Sequence, residues 1–465
     1  MQFYALARNA RTKTVDVVWA CLFAGVIALG GCASYERLPL ETRSKLVAKA
    51  SDLEAGGDRR LTLASLDRLI VANNPDLRAA RARLGVAQAQ VLQSGILPNP
   101  QLALSYPFLA GGPGTQNAYS AAIGQDVKSI LLLKTKGEVA ENSRAEISAT
   151  LLWQEWQIIG KARLLFVDIV SSERAKTLIV QNRKILQERF NLTNTAIGQG
   201  NATLATLSPD LLAVGDIQKT YDDLDRLQLS RRHQLNALLG LVPEANLVLV
   251  ASPNVPRVKA ATVLGELATL ADRRPDLIAL QYGYRSEDAK VRQAVLAQFP
   301  NLSVGVIGGR DTTGVLSVGP QLTVDLPIFD RNQGAIAIEQ STREQLRREF
   351  SARLAAATGE IGALLSEQAL LERQLAALEP RLKEARNIAE RTEVAFKQGT
   401  FDERAYVDIQ VARLAREQER AGLQQAMLEG QIGLATLVGA GFPSVQIEPE
   451  GPPADPLGLL RWVGR

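Results

Sequence analysis

The chain has 465 residues, with 53 Lys and Arg against 49 Asp and Glu for a formal charge of +4, and 46% of it is hydrophobic. That length allows a large buried core, and the nearly neutral balance leaves no electrostatic footprint for nucleic acid. One histidine, two methionines and two cysteines supply little for soft-metal ligation or a disulfide framework, so no cofactor is expected.

At the N-terminus Arg8, Arg11 and Lys13 precede the apolar run Val17 to Leu29, which closes on Leu29-Gly30-Gly31-Cys32. Thirteen apolar residues suit the ~7–15 of a signal-peptide core and fall short of the ~20 that span a bilayer as a helix. Residues 1–31 therefore read as a lipoprotein signal peptide. The small residues before Cys32 resemble a lipobox, which implies that Cys32 becomes the diacylated first residue of the mature chain. Ala33 is unlike the aspartate associated with inner-membrane retention. Cleavage removes three basic residues and one acidic one, taking the charge from +4 to +2, and Cys21 leaves with the signal. Residues 32–60 would form a lipid-anchored segment.

No apolar run of helix-spanning length follows Cys32. A single lipid chain anchors only marginally. A second device is needed, and the alternating strands of a β-barrel are the candidate, because their hydropathy signal is weak.

Self-similarity sets the organisation. Asn74-Pro75-Asp76-Leu77 returns as Arg274-Pro275-Asp276-Leu277, 200 positions on. Pro98-Asn99-Pro100-Gln101-Leu102 is echoed by Phe299-Pro300-Asn301-Leu302, Gln199-Gly200 by Gln398-Gly399, and Leu238-Leu239-Gly240 by Leu437-Val438-Gly439. Two repeats are expected, 61–241 and 262–441, with a proline-bearing linker at 242–261 and an irregular, proline-rich tail at 442–465.

Within each repeat a short helix is followed by a second that starts at Pro75 or Pro275, since proline is tolerated in a first helical turn. Two strands come next. Leu316, Val318, Pro320, Leu322, Val324 and Leu326 alternate with small or polar residues over 11 positions, matching the ~9–11 of a tilted transmembrane strand. Its partner carries Leu302, Val304 and Val306 and is expected to turn at Gly308-Gly309-Arg310-Asp311. In the first repeat Leu102, Leu104 and Tyr106 alternate before a turn at Gly111-Gly112-Pro113-Gly114, and a less regular strand returns over Tyr119 to Val127.

Long helices complete each repeat. Leu371, Leu375, Leu378, Leu382, Ala385, Ala389, Thr392 and Phe396 keep a 4-3 rhythm, and Val407, Val411, Leu414, Gln418, Ala421, Gln425, Leu428, Ile432 and Ala435 continue it. That is a coiled-coil seam. The stretch from Gly334 to Lys397, with Pro380 its single proline, would run on the order of 90 Å at ~1.5 Å per residue. In the first repeat Leu178, Ile185 and Leu192 recur every seven. Gly200 and Gly399 suit left-handed helix ends. Ser208-Pro209-Asp210 reads as a cap and first-turn proline opening the next helix.

Together these features resemble the TolC-type outer-membrane efflux proteins over residues 61–441. The motifs that carry the resemblance are Asn74-Pro75-Asp76-Leu77, Leu97-Pro98-Asn99-Pro100, Leu326-Pro327-Ile328-Phe329-Asp330 and Gln398-Gly399-Thr400. The resemblance implies a mainly α fold with transmembrane β: coiled-coil hairpins build a periplasmic α-barrel, and four strands per chain contribute to one trimeric outer-membrane β-barrel. It further implies a homotrimer, a periplasmic adaptor (membrane fusion) protein, an inner-membrane transporter and outer-membrane lipid as partners. Four strands cannot close a spanning barrel alone, and lipid does not tolerate open sheet edges.

No complete GxGxxG, Walker A, GxSxG or HExxH pattern occurs. His233, the lone histidine, reads as a helix-surface or packing residue, since a base without a positioned partner has no mechanism. The chain is therefore read as a conduit and not an enzyme. The resemblance places hairpin-tip contacts with partners at Gly200, Gly399 and Thr400, and a periplasmic gate of carboxylates near Asp408, with Asp402 and Glu403 beside it. Ala405 stands where related channels carry a further aspartate. Three copies of such carboxylates would favour cations in a narrow mouth; a solvated helix face is the plainer alternative. Two other functions are weighed: the exit of a type I-like protein or peptide secretion system, and a periplasmic coiled-coil adaptor lipoprotein. An adaptor would need one hairpin flanked by soluble β-domains, whereas this chain carries two in a repeat.

Overall fold

In a computed structural model of the protein, residues 35–54 and 60–443 are described. The signal peptide, Cys32 and the tail from residue 444 lie outside them. Residues 35–46 belong to a separate unit, exposed almost throughout and without helix or strand. The second unit, from Val47, carries the rest.

Local chemistry fixes where its helices start. In α1 (Leu63–Asn73) the Thr62 side chain accepts from Ser65 N, and the Ser65 side chain accepts in return from Thr62 N. This reciprocal cap satisfies two amides that the helix itself cannot. Asn74 caps α2 (Pro75–Ser94), its Oδ1 accepting from Leu77 N at 2.9 Å. Asp126 caps α3 (Val127–Gly198), accepting from Lys128 N at 3.0 Å. The helix α4 (Leu204–Leu238) then returns.

The same order follows in the second half: short helices α5 (Ala260–Glu266) and α6 (Leu270–Arg273), then α7 (Pro275–Leu296), two strands, α8 (Gln333–Lys397) and α9 (Glu403–Val438). At 72 and 65 residues, α3 and α8 each run on the order of 100 Å.

Four strands form one antiparallel sheet in chain order: β1 (Gln101–Ser105), β2 (Tyr119–Asp126), β3 (Leu302–Arg310) and β4 (Leu316–Val324). Register lines up one apolar face across it, pairing Leu102 with Ile123, Ile123 with Val306, Val304 with Leu322 and Leu302 with Val324. Leu102, Leu104, Ile123, Val306, Leu316, Val318 and Leu322 on that face are all more than half exposed. The opposite face carries Ser120, Ala122, Gly124, Ser303, Gly305, Gly309, Ser317, Gly319 and Gln321.

The structure corrects four local expectations. Gly308 and Gly309 lie inside β3, and the chain turns later, at Asp311–Val315, where Asp311 Oδ1 accepts from Thr313 N and Val315 N. Glycine serves the sheet there: a Cβ at Gly309 would collide with the Tyr119 carbonyl, and one at Gly305 with the Ile123 carbonyl. Strand β4 has 9 residues, not 11, although Asp325 N still reaches Asn301 O at 3.0 Å.

The other two corrections concern the first hairpin. Pro209 stands inside α4, which has already begun at Leu204 with Thr203 at its N-cap, so Ser208 is a helix residue and not the expected cap. The tip turn delivers the chain into helix within a few residues, so the proline meets a helix under way. Finally, Leu192 is exposed and Leu178 and Ile185 only partly buried, while Ile179 and Leu186 are buried against Ala213, Val214, Ile217 and Tyr221 of α4, and Asn182 is buried as well. The seam is displaced by one residue from the expected stripe.

Each half has its own core. Leu66 and Ile70 of α1 pack with Phe166 and Ile169 of α3 and with Leu235, Leu239 and Leu241. Val263, Leu270 and Leu277 pack with Ala357 and Ile361 of α8 and Leu434 and Val438 of α9. These cores root the hairpins and leave their far ends projecting. Among the described residues no helix is long and apolar enough to cross a membrane.

Candidate gate at the helical tips

Both hairpins turn on a left-handed glycine, Gly200 at φ 76° and Gly399 at φ 73°. Asn201 N donates to Ala196 O at 2.8 Å and Gly200 N to Ile197 O at 2.9 Å; Thr400 N donates to Ala395 O at 3.0 Å and Gly399 N to Phe396 O at 2.9 Å. These paired bonds satisfy carbonyls that the helix end would leave free. The Thr400 hydroxyl also donates to Ala395 O. Nothing stands within 4 Å of a Cβ at either glycine, so backbone conformation alone demands glycine there.

The three carboxylates expected at the gate are placed differently from one another. Asp402 caps α9, its Oδ2 accepting from Ala405 N at 2.9 Å. Glu403 follows in the first turn, exposed, where the helix dipole favours a negative charge. Asp408 is one turn further on, with its side chain 58% exposed, and Arg189 of α3 donates to it through Nη1 at 2.6 Å.

Arg189 is itself held from below. Its Nε lies 2.9 Å from Oδ1 of Asp210, which is completely buried, although the two are not aligned as a hydrogen bond. Asp210 Oδ2 accepts from the Thr193 hydroxyl at 2.7 Å, and Arg404 of α9 approaches Oδ1 at 3.7 Å. Two arginines and two aspartates thus link α3, α4 and α9, with no net charge. The partners contribute unequally. A half-exposed pair such as Arg189–Asp408 is worth ~0–1 kcal/mol, whereas removing one member of a buried pair costs ~3–5 kcal/mol. The buried aspartate therefore fixes the arginine, and the exposed one makes a contact that breaks easily.

Sequence reasoning singled out Asp408 and missed Arg189 and Asp210. A signal was available: Asp210 stands seven positions before Ile217, and Thr193 seven after Leu186, so both fall in register with the apolar positions of the seam. Next to the clasp, Tyr406 stacks on Phe396 with ring centroids 4.6 Å apart and planes within 3°. Burial raises the pKa of its phenol, with Glu393 adding to the effect. Above it, Arg386 grips Glu417 through two bonds of 2.7 Å, and Arg420 reaches Glu379 at 2.7 Å, both joining α8 to α9. The Arg386 guanidinium holds the Glu417 carboxyl below its ordinary value.

The chain is similar to known proteins over most of its length. The family profile described as outer membrane efflux protein matches residues 267–440. The pyoverdine export outer membrane protein OpmQ of Pseudomonas putida is 22% identical over 408 residues, covering 81% of this chain and 86% of its own length. The solved outer-membrane channel OprN superposes with a TM-score of 0.66 at 17% identity, over 88% of this chain and 99% of that one. The open state of the Neisseria gonorrhoeae MtrE outer membrane channel gives a TM-score of 0.66 at 15% identity, over 88% and 98%.

Proposed function

We propose, on the premise that the chain belongs to the TolC-type outer membrane efflux protein family and so to the outer membrane, that three copies form the exit duct of a tripartite efflux system. The observation that carries this reading is the four-stranded sheet, with β1 and β4 as open edges and an apolar face with no core beneath it. An edge open to lipid leaves several kcal/mol of unsatisfied backbone per group, which only closure with further strands removes. Twelve strands from three chains supply a closed barrel whose small, polar face lines the lumen.

In this reading the hairpins extend through the periplasm, and the Gly200 and Gly399–Thr400 turns meet a periplasmic adaptor that connects to an inner-membrane transporter. The duct is passive, and its partners supply the energy. A relative named for pyoverdine export supports export as the activity. Cys32 would carry the lipid. A Cys32→Ala chain should then lose acylation and accumulate as precursor, and an unblocked wild-type N-terminus starting elsewhere would refute this assignment.

The tip clasp is the proposed gate. Closure keeps Asp408 on Arg189; opening carries α9 from α3 and frees three Asp408 carboxylates to line the mouth. In planar bilayers, Asp408→Asn should raise the resting open probability and weaken both cation preference and block by multivalent cations. Wild-type values of all three in an intact Asp408→Asn assembly would make Asp408 a solvated helix residue and nothing more. For the duct as a whole, purified protein should form ion-conducting pores in bilayers, and deletion of its gene should raise retention of exported compounds.

A further inference from the structure

The two hairpins meet along one antiparallel seam between α3 and α9. Gly160 lies against the Thr436 side chain, Val411 packs on the cluster of Ile179 and Leu186, and Arg189 closes on Asp408. From 168 to 189 on α3 and from 429 back to 408 on α9 the interval is the same 21 residues. Asp168 and Glu429 therefore face each other about three heptads, ~30 Å, from the tip clasp on the same seam.

Their surroundings are polar and half-buried. Arg231 of α4 places Nε 3.3 Å from Asp168 Oδ2, and its Nη1 donates to the Ser172 hydroxyl at 2.8 Å. Gln425, one turn from Glu429, donates to Asp168 Oδ1 at 3.1 Å and to Glu429 Oε1 at 2.7 Å. Towards α8, α9 presents Gly430 and Gln431, which meet the uncharged Gln368. The charges acting on Glu429 are thus Asp168 and Arg231. One guanidinium faces two carboxylates, and a single proton makes the group neutral.

We infer that Asp168, Arg231, Gln425 and Glu429 form a proton-dependent joint between the hairpins: protonated Glu429 donates to Asp168 and holds α9 to α3, while the ionised carboxylate is repelled and slackens the seam. Burial first, and Asp168 second, push the Glu429 carboxyl up to about 7, against the opposing pull of Gln425 and Arg231. An acid raised in the closed state takes up a proton on closing. Its stabilisation is fully present below the ordinary value of 4.5 and is lost as pH rises towards about 7. The inference rests on this geometry and holds whatever the duct conducts.

Hydrogen exchange of α9 around Glu429, corrected for intrinsic rates, tests it on the full-length protein in detergent. Opening of this segment should rise about tenfold between about pH 5 and about pH 7.5 and then level off, the part of the shift that survives solvent screening. Glu429→Gln keeps a neutral donor opposite Asp168 and should make exchange independent of pH. Asp168→Asn removes the like charge and should move the midpoint to lower pH. PH-independent exchange in the wild type, or an unchanged rise in Glu429→Gln, would overturn the joint. If Glu429→Gln does not assemble, an unmoved midpoint in Asp168→Asn overturns it instead.

Discussion

The α3–α4 and α8–α9 hairpins turn on the same glycine geometry, yet they are held together by different chemistry. In the second, Leu371, Leu378, Leu382 and Ala389 of α8 are buried along with Val407, Leu414, Ile432 and Ala435 of α9, and arginine–glutamate pairs brace the outside. It is close to a self-contained coiled coil. The second also buries the uncharged Gln368, Thr392 and Gln410, whereas the first buries the charged Asp210 and turns Arg189 and Asp168 outward to α9. One backbone plan thus serves two purposes. The second hairpin keeps its own shape, and the first carries the polar contacts that tie the two together.

The same contrast recurs at the roots. Asn74 caps α2 directly and also donates to Leu238 O at 2.8 Å. At the matching position in the second half, Arg274 cannot cap. Asp276 takes over, accepting from Leu277 N at 3.0 Å and from Arg274 Nε at 2.8 Å, while the guanidinium lies 4.7 Å above the Trp153 ring.

Substitutions can separate these roles, and the largest effect is expected in the sheet. Gly309→Val drives a side chain into the β2 backbone, whereas at Gly319 of β4 a Cβ meets nothing within 4 Å. Gly309→Val should abolish membrane assembly and Gly319→Ala should leave it intact, as read by heat-modifiable migration of the folded protein. Equal behaviour of the two would mean that the β2–β3 approach is looser than described.

Next comes the clasp. Arg189→Met strands the fully buried Asp210 and should cost about 3 kcal/mol of stability in denaturant titration, while Asp408→Asn costs less than about 1 kcal/mol. Similar losses would remove the distinction between the buried anchor and the exposed contact.

The helix starts should differ by less. Asp276→Ala leaves the buried Arg274 unpaired and should cost about 2–3 kcal/mol, against about 1 kcal/mol for the cap lost in Asn74→Ala. Thermal unfolding of the two variants side by side checks the order. The smallest difference within a pair is expected between Gly200→Ala and Gly399→Ala, which share one backbone geometry. Each forces a left-handed residue at about 1–2 kcal/mol with no steric clash. An effect at one tip only would reveal a contact that the single chain does not contain.

What could be read in the sequence follows the same divide. Helix starts at Pro75 and Pro275, tips at Gly200 and Gly399 and the alternation of β4 are local, because the residues that cause them stand next to one another. The α8–α9 rhythm was legible because its apolar positions serve one partner. In α3 they serve α4 and α9 together, so the stripe through Leu178, Ile185 and Leu192 pointed one residue away from the buried set. Gly308 and Gly309 suggested a turn, since glycine looks alike where a chain bends and where two backbones crowd. Of the gate, Asp408 was named, but its partner lies 219 positions away, and no local pattern joins them.

The claim that three chains complete what one leaves open is tested most directly by the mass of the folded, detergent-extracted protein, measured by native mass spectrometry together with its conductance in bilayers. A conducting species of three protomers is expected, with no conducting monomer. A stable monomer that conducts through a closed barrel of its own would contradict the account.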